Sequence, residues 1–336
     1  MIPFAQASER SQAYRLRKLA MAVIEQYPLA IKKVNYIQNG ENATFQLIDK
    51  KGKKYLLRVH RYGYHTTQAI QEELQWLISI GKSTDIQVPQ PIKSKSGTHF
   101  VIVKHPAMSH PRHCAVFHWV EGRFLWKHTN ENYMHKLGAL IAQLQKTGKK
   151  RKIQHRKYWS IDGLIGRNSK FGDLEDVIGI PRKQHNLLIR ARDSIYEMMI
   201  LYEKNNPKKV GLMHADLHFG NFVVNKGVLG AIDFDDSGVG LHSYDLAIPM
   251  RSLAFFTEYE KRSDLSQLCA ALLEGYAEHM PLNEKDIQHV KTFQAIRQLV
   301  MLGWLQSRSD IPRLKKRIPI AAKNAMVYIK DNLDIL

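Results

Sequence analysis

The sequence predicts an α+β protein, with a β-rich first third followed by a larger, mainly helical remainder that has a small β island embedded in it. Three observations carry this reading. β-Branched and aromatic segments cluster before residue 121, stretches with apolar residues at helical spacing fill most of the rest, and residues 210–233 interrupt those helices with two short strand-like runs. With 336 residues and 44% hydrophobic content, the chain is long enough for a sizeable core and for about two domains or lobes.

Taken in order, residues 11–27 place Tyr14, Leu16, Leu19, Val23 and Ile24 near one stripe of an amphipathic helix that Pro28 stops. Strands follow at 34–37, 44–48 and 55–59, the last two joined by a turn through Lys51-Gly52. Ile70, Leu74, Leu77 and Ile80 mark a helix over 69–80, and strands at 100–103 and 115–120 complete a small antiparallel sheet. After Glu121-Gly122 the pattern turns helical: Tyr133, Leu137, Leu140, Ile141 and Leu144, then 187–202, then most of the chain from 245 onward. The expected organisation is therefore 1–117, a connecting segment 118–122, and 123–336, with the boundary region a natural ligand site.

The formal net charge is +19, and it is spread out: 17 basic and 7 acidic residues precede position 121, and 33 and 24 follow. The densest basic tract is Lys146, Lys149, Lys150, Arg151, Lys152, Arg156 and Lys157, expected to be a solvated loop after a helix. No nucleic-acid motif accompanies it, so a nucleic-acid partner is not expected. Cys114 and Cys269 are far apart and form no CxxC pair, so neither a disulfide framework nor a thiolate zinc site is indicated, and a reducing compartment fits best. Without a signal-like apolar core near the N-terminus, and without an apolar run of about 18 residues, the expectation is a cytoplasmic protein with no membrane partner.

The β island carries the chemistry. Residues 222–225 and 228–232 read as a hairpin turning at Lys226-Gly227, which would set Asn221 opposite Ile232 or Asp233. An amide oxygen and a carboxylate at one end of a hairpin suit a hard cation such as magnesium, which takes oxygen ligands and leaves room for phosphates. Asp216, on the entering loop, could orient a hydroxyl and accept its proton as a phosphoryl group arrives.

His214-x-Asp216-x-x-x-x-Asn221, followed by Asp233 and then Tyr244-Asp245-Leu246-Ala247, resembles the signature of the aminoglycoside phosphotransferase and choline kinase family, small-molecule kinases related to protein kinases. That resemblance implies a protein-kinase-like two-lobed fold and an ATP- and Mg2+-dependent transfer to the hydroxyl of a small-molecule acceptor such as an amino alcohol, amino acid, sugar or aminoglycoside. It implies Asp216 as catalytic residue, Asn221 and Asp233 as metal ligands, and Asp245 as an acid that hydrogen-bonds the catalytic loop. Upstream, Gly40 and Asn42 fall in a segment similar to the family's nucleotide loop. Arg58 stands where the family usually has a phosphate-contacting Lys, with Glu73 as its helix partner, and Phe117, Trp119 and Val120 fall in a segment similar to the hinge that holds adenine.

The loop has one Gly where protein kinases have a GxGxxG, and Arg is a bulkier fork than Lys. A nucleotide-binding regulator of the pseudokinase type, holding an acidic partner, is the alternative from another class. Gly81-Lys82-Ser83-Thr84 imitates a P-loop but has Trp76 where the first Gly is required. His214, Asp216 and His218 could instead ligate zinc or iron for hydrolysis, although that leaves Asn221 and Asp233 unexplained. His105, His110, His113, Cys114 and His118 form a cluster of metal-like density, but beside Pro106 and Pro111 the expectation is surface histidines of an irregular strand connection.

Overall fold

A computed structural model of the chain describes residues 3–149, 151–167, 169, 171, 174, 175 and 177–335. It resolves into two compact units: Met1–Gly122 with Gln154–Arg156 and Gly230–Ile232, and Arg123–Ile153 with Lys157–Leu229 and Asp233–Leu336.

In the first unit, Ser8 opens helix α1 (Glu9–Ile24) by accepting the Ser11 N–H, which satisfies one of the helix's free N-terminal donors. Strands β1 (Ile31–Asn39), β2 (Ala43–Asp49), β3 (Lys54–Val59), β4 (Val101–Val103) and β5 (Arg112–His118) form one antiparallel sheet in the order β1-β2-β3-β5-β4. Between β2 and β3 the Asp49 carboxylate accepts the N–H groups of Lys51 (2.8 Å) and Lys53 (2.9 Å), and Gly52 supplies the positive φ the turn needs. Alternation places Phe45, Leu47, Leu57 and Val116 on the buried face, packed in one cluster with Leu19 and Val23 of α1. Helix α2 (Thr67–Ser83) is capped by Thr66 and buries Ile70, Leu74, Leu77 and Ile80, the stripe its spacing predicts.

The second unit is mainly helical: α3 (Glu131–Gly148), α4 (Ile161–Ile165), α5 (Arg182–Asn205), α6 (Ser243–Tyr259), α7 (Leu265–Ala277), α8 (Glu284–Gln306), α9 (Pro312–Lys315) and α10 (Ile318–Asn332). The expected helical C-terminal part is thus divided, with Pro281 and Pro312 among the residues at its breaks. β6 (Arg123–Phe124), β9 (Phe222–Asn225) and β10 (Val228–Ala231) make one small sheet; β7 (Lys157–Trp159), β11 (Gly238–Leu241) and β8 (Val210–Met213) make another, with β7 parallel and β8 antiparallel to β11. Lys226 (φ 49°) and Gly227 (φ 80°) form the two-residue turn before β10, the double positive-φ geometry that suits strand twist. Helices α3 and α7 meet through glycines: a Cβ on Gly138 would lie 1.9 Å from the Leu272 carbonyl oxygen, and one on Gly275 would lie 1.9 Å from that of His135.

One expectation is corrected. The basic tract around 146–157 is not a plain solvated loop. The backbone N–H groups of Gln154, His155 and Arg156 all donate to the Glu72 carboxylate, the Arg156 side chain is buried, and Lys157 starts β7. Burial follows from charge pairing, since the Arg156 guanidinium lies 3.6 Å from Glu73. Lys150 lies outside the described residues. Among the described residues no helix is long and apolar enough to cross a membrane.

Candidate active site

The loop after β8 is held by a buried carboxylate. Asp245, in the first turn of α6, accepts the His214 N–H at 2.8 Å through Oδ2 and the Ala215 N–H at 2.7 Å through Oδ1. Ala215 has φ 67°, a left-handed conformation that costs a non-glycine residue energy and that these two bonds help to hold. Gln145 of α3 donates to the His242 carbonyl (3.0 Å) and reaches Asp245 at 3.5 Å, while the Tyr276 hydroxyl donates to Gln145 Oε1 at 2.7 Å. Burial pushes the Asp245 carboxyl up to about 6, against the pull of its hydrogen bonds from His214, Ala215 and Gln145. His242, also buried, is pushed down to about 4 by burial and then by the charge of Lys149.

Asp216 follows this clamp with its side chain 23% exposed. Its Oδ1 accepts a short hydrogen bond from the Arg297 guanidinium of α8, and its Oδ2 lies 3.3 Å from Asn221 Nδ2 and 3.6 Å from His218 Nε2. Asn221 Nδ2 also donates to the Asp216 carbonyl at 2.8 Å. The Asn221 amide thus commits its NH2 end to Asp216, and its oxygen is the other end of the group. Asp233, two residues after β10 ends at Ala231, is in a left-handed conformation, φ 63°. Asp236 pairs with Lys157 at 2.9 Å.

Arg297 is the site residue that sequence reading misses. Burial opposes its charge, but Tyr244 and Asp216 outweigh that and hold the guanidinium above its usual range. A signal was present: Arg297 sits between Ala295-Ile296 and Leu299-Val300, a charge inside a buried helical run.

In the first unit, Arg58 and Glu73 are brought together at 2.6 Å, both buried, with Arg156 as a second cation on Glu73 and the Phe117 ring 5.1 Å from the Arg58 guanidinium. The Arg58 side chain is only 3% exposed. Gly40 lies in the bend between β1 and β2, donating its N–H to the Asn42 carbonyl, and Asn42 Oδ1 accepts the Arg61 N–H. Phe117 is buried one residue before the end of β5, while Trp119 and Val120 follow the strand, partly exposed.

The donor set fits a hard cation. Asn221 offers an amide oxygen whose nitrogen is already engaged, and Asp233 is a carboxylate; each is a donor type that magnesium accepts. The hydrolytic alternative is poorly served: His214 is buried with Nδ1 accepting the Asp216 N–H, His218 Nδ1 accepts the Gly220 N–H, and no group of three or more His, Cys, Asp or Glu among the described residues could hold a metal. Of the other histidines, His113 bonds Thr67 at 2.8 Å and His110 stacks on Tyr62.

Comparison with known proteins shows the family and the fold. Residues 35–282 match the model of the phosphotransferase enzyme family, APH, and the chain belongs to that family. It is 23% identical over 298 residues to a serine/threonine protein kinase, RdoA, of Salmonella typhimurium, covering 89% of this chain and 84% of that one. Among solved structures, a microcompartment-associated aminopropanol kinase has a TM-score of 0.80 at 24% identity, covering 94% of this chain and 98% of its own. The amicoumacin kinase hAmiN, solved with AMP-PNP, Ca2+ and Ami, has a TM-score of 0.76 at 20% identity, covering 95% and 96%. The α+β, protein-kinase-like fold expected from the sequence is the fold these structures share with it, and the chain is a phosphotransferase.

Proposed function

We propose that this phosphotransferase uses ATP and Mg2+ to phosphorylate a hydroxyl group of a small molecule, with Asp216 as the proton acceptor. The observation that supports this best is the Asp216–Asn221 pair, set on a loop whose backbone Asp245 clamps from below. In the reaction the acceptor oxygen bonds to the γ-phosphorus while the bond to the bridging oxygen breaks, its electron pair leaving on ADP. Arg297 occupies Asp216 Oδ1, so the hydroxyl proton passes to Oδ2.

Asn221 and Asp233 would hold magnesium, which when bound offsets the charge on the phosphate oxygens. Arg58 with Glu73 steadies the nucleotide phosphates, the Gly40–Asn42 bend covers them, and the backbone from Phe117 through Trp119 to Val120 receives the adenine. Arg58 contributes chiefly by fixing β3 and Glu73, since Glu73 already engages its buried guanidinium.

The test is Mg2+-dependent ATP turnover with a panel of hydroxyl metabolites, to which the relative named as a protein kinase adds a serine-containing peptide. Transfer to a small alcohol supports the reading. Nucleotide binding with no transfer to any acceptor would support the regulator instead.

A further inference from the structure

Within the second unit a cavity of about 360 Å³ is bounded by Arg297 and His218, two side chains that contact Asp216. Its charged lining has one sign. Arg251, Arg297 and Arg317 face it, and no Asp or Glu is among the lining residues. Arg297 is taken by Asp216, whereas the guanidinium groups of Arg251 and Arg317 make no ion pair or hydrogen bond among the described residues. Gln298 also lines the cavity; it is 9% exposed, and its buried Nε2 has no hydrogen-bond partner. An amide NH2 withdrawn from water without an acceptor costs free energy that a ligand acceptor would recover. Phe255 and Phe256 give the cavity an apolar wall.

We propose that this cavity is the acceptor pocket and that it takes an alcohol carrying an anionic group, a carboxylate or a phosphate. This rests on the kinase reading above. Arg251 and Arg317 hold the anionic end, Gln298 donates to it, and the hydroxyl end lies at Asp216. Two guanidinium groups without carboxylate partners concentrate positive potential in a concave site, and each offers the planar fork that binds carboxylate or phosphate in two-point fashion. An ammonium group at the Arg251 and Arg317 end would find only like charge.

The test uses four matched three-carbon alcohols, glycerol 3-phosphate, glycerate, glycerol and 3-amino-1,2-propanediol, titrated calorimetrically into the full chain saturated with AMP-PNP and Mg2+. The two anionic compounds should bind at least about tenfold more tightly than glycerol or the amine, with a preference that shrinks as salt rises. The tighter of the two then identifies the anionic group. The double variant Arg251→Gln with Arg317→Gln, checked for an unchanged circular dichroism spectrum, should lose that preference. Equal affinities, tightest binding of the amine, or no binding of any member by the wild-type chain would overturn the proposal whether or not the variant folds. Mg2+-dependent AMP-PNP binding, measured first, separates the two failures: its absence would sink the kinase reading itself, and its presence without an anionic preference would sink only the pocket assignment.

Discussion

Asp245→Asn separates two buried groups whose pH effects oppose each other. Asp245 moves from 3.8 to about 6 on folding, so the native state holds an extra proton between those values and its contribution to stability falls as pH rises through that window. His242 moves from 6.5 to about 4, so the unfolded state holds the extra proton and the His242 contribution is lost as pH falls from 6.5 toward 4. Each displacement exceeds two pH units, about 3 kcal/mol at 1.36 kcal/mol per unit, and the two nearly cancel in the wild type. The asparagine cannot ionise, so the difference in unfolding free energy, variant minus wild type, should rise by about 3 kcal/mol between pH 4 and pH 7.

The same substitution sets an amide NH2 against one of the two loop N–H groups that the carboxylate now satisfies at 2.8 and 2.7 Å. Near pH 7 the loss of about 1–3 kcal/mol there is offset by relief of the buried charge, leaving stability close to wild type. Turnover should nevertheless fall by about 100-fold, because Asp216 is displaced on its loop. Urea denaturation across pH 4 to 7 with steady-state kinetics near pH 7.5 checks both arms. A free-energy difference that stays flat with pH would refute the assigned burial of Asp245, and full turnover would refute its hold on the loop.

Three further outcomes are expected. Asp216→Asn should lower kcat by about 10² to 10⁴ while leaving AMP-PNP affinity, read by titration, near wild type; an unchanged kcat would remove Asp216 from the chemistry. Glu73→Gln leaves the buried Arg58 and Arg156 without the carboxylate they share at 2.6 and 3.6 Å, and should cost about 3–5 kcal/mol in urea denaturation. A loss below about 1 kcal/mol would show that other groups carry the charge balance. Gly138→Ala drives a methyl to 1.9 Å from the Leu272 carbonyl oxygen and should cost at least about 3 kcal/mol by thermal or urea unfolding, since backbone must move on both sides; a neutral result would show that the helices can part.

Much of the fold was legible because its elements announce themselves locally. The Phe45, Leu47 and Leu57 alternation, the Ile70 to Ile80 stripe, and the Lys226-Gly227 turn each state a period or a backbone need within a few residues. β7 and β11 were not legible: Lys157-Tyr158-Trp159 hides at the end of a basic tract, and Gly238-Val239-Gly240-Leu241 has two glycines where strand formers are expected. Their pairing spans about 80 residues of chain, so no local pattern encodes it. In the candidate site, Asp216, Asn221 and Asp245 shared one short stretch and could be read together. Arg297 and Arg156 could not, because each acquires its partner only through tertiary packing, Arg297 on Asp216 and Arg156 on Glu73.

The glycine contact between α3 and α7 has a consequence for how this enzyme can diversify. Two stretches of main chain in direct touch form a hard stop, with no side chain available to rotate and absorb a shift. Gln145 lies about two turns along α3 from Gly138, so any slippage of that joint would be handed on to the loop beneath Asp216. Evolution therefore has little freedom to alter acceptor choice by loosening the frame. If the cavity is the acceptor pocket proposed above, new acceptors would be reached by exchanging its walls, where Arg251 and Arg317 stand.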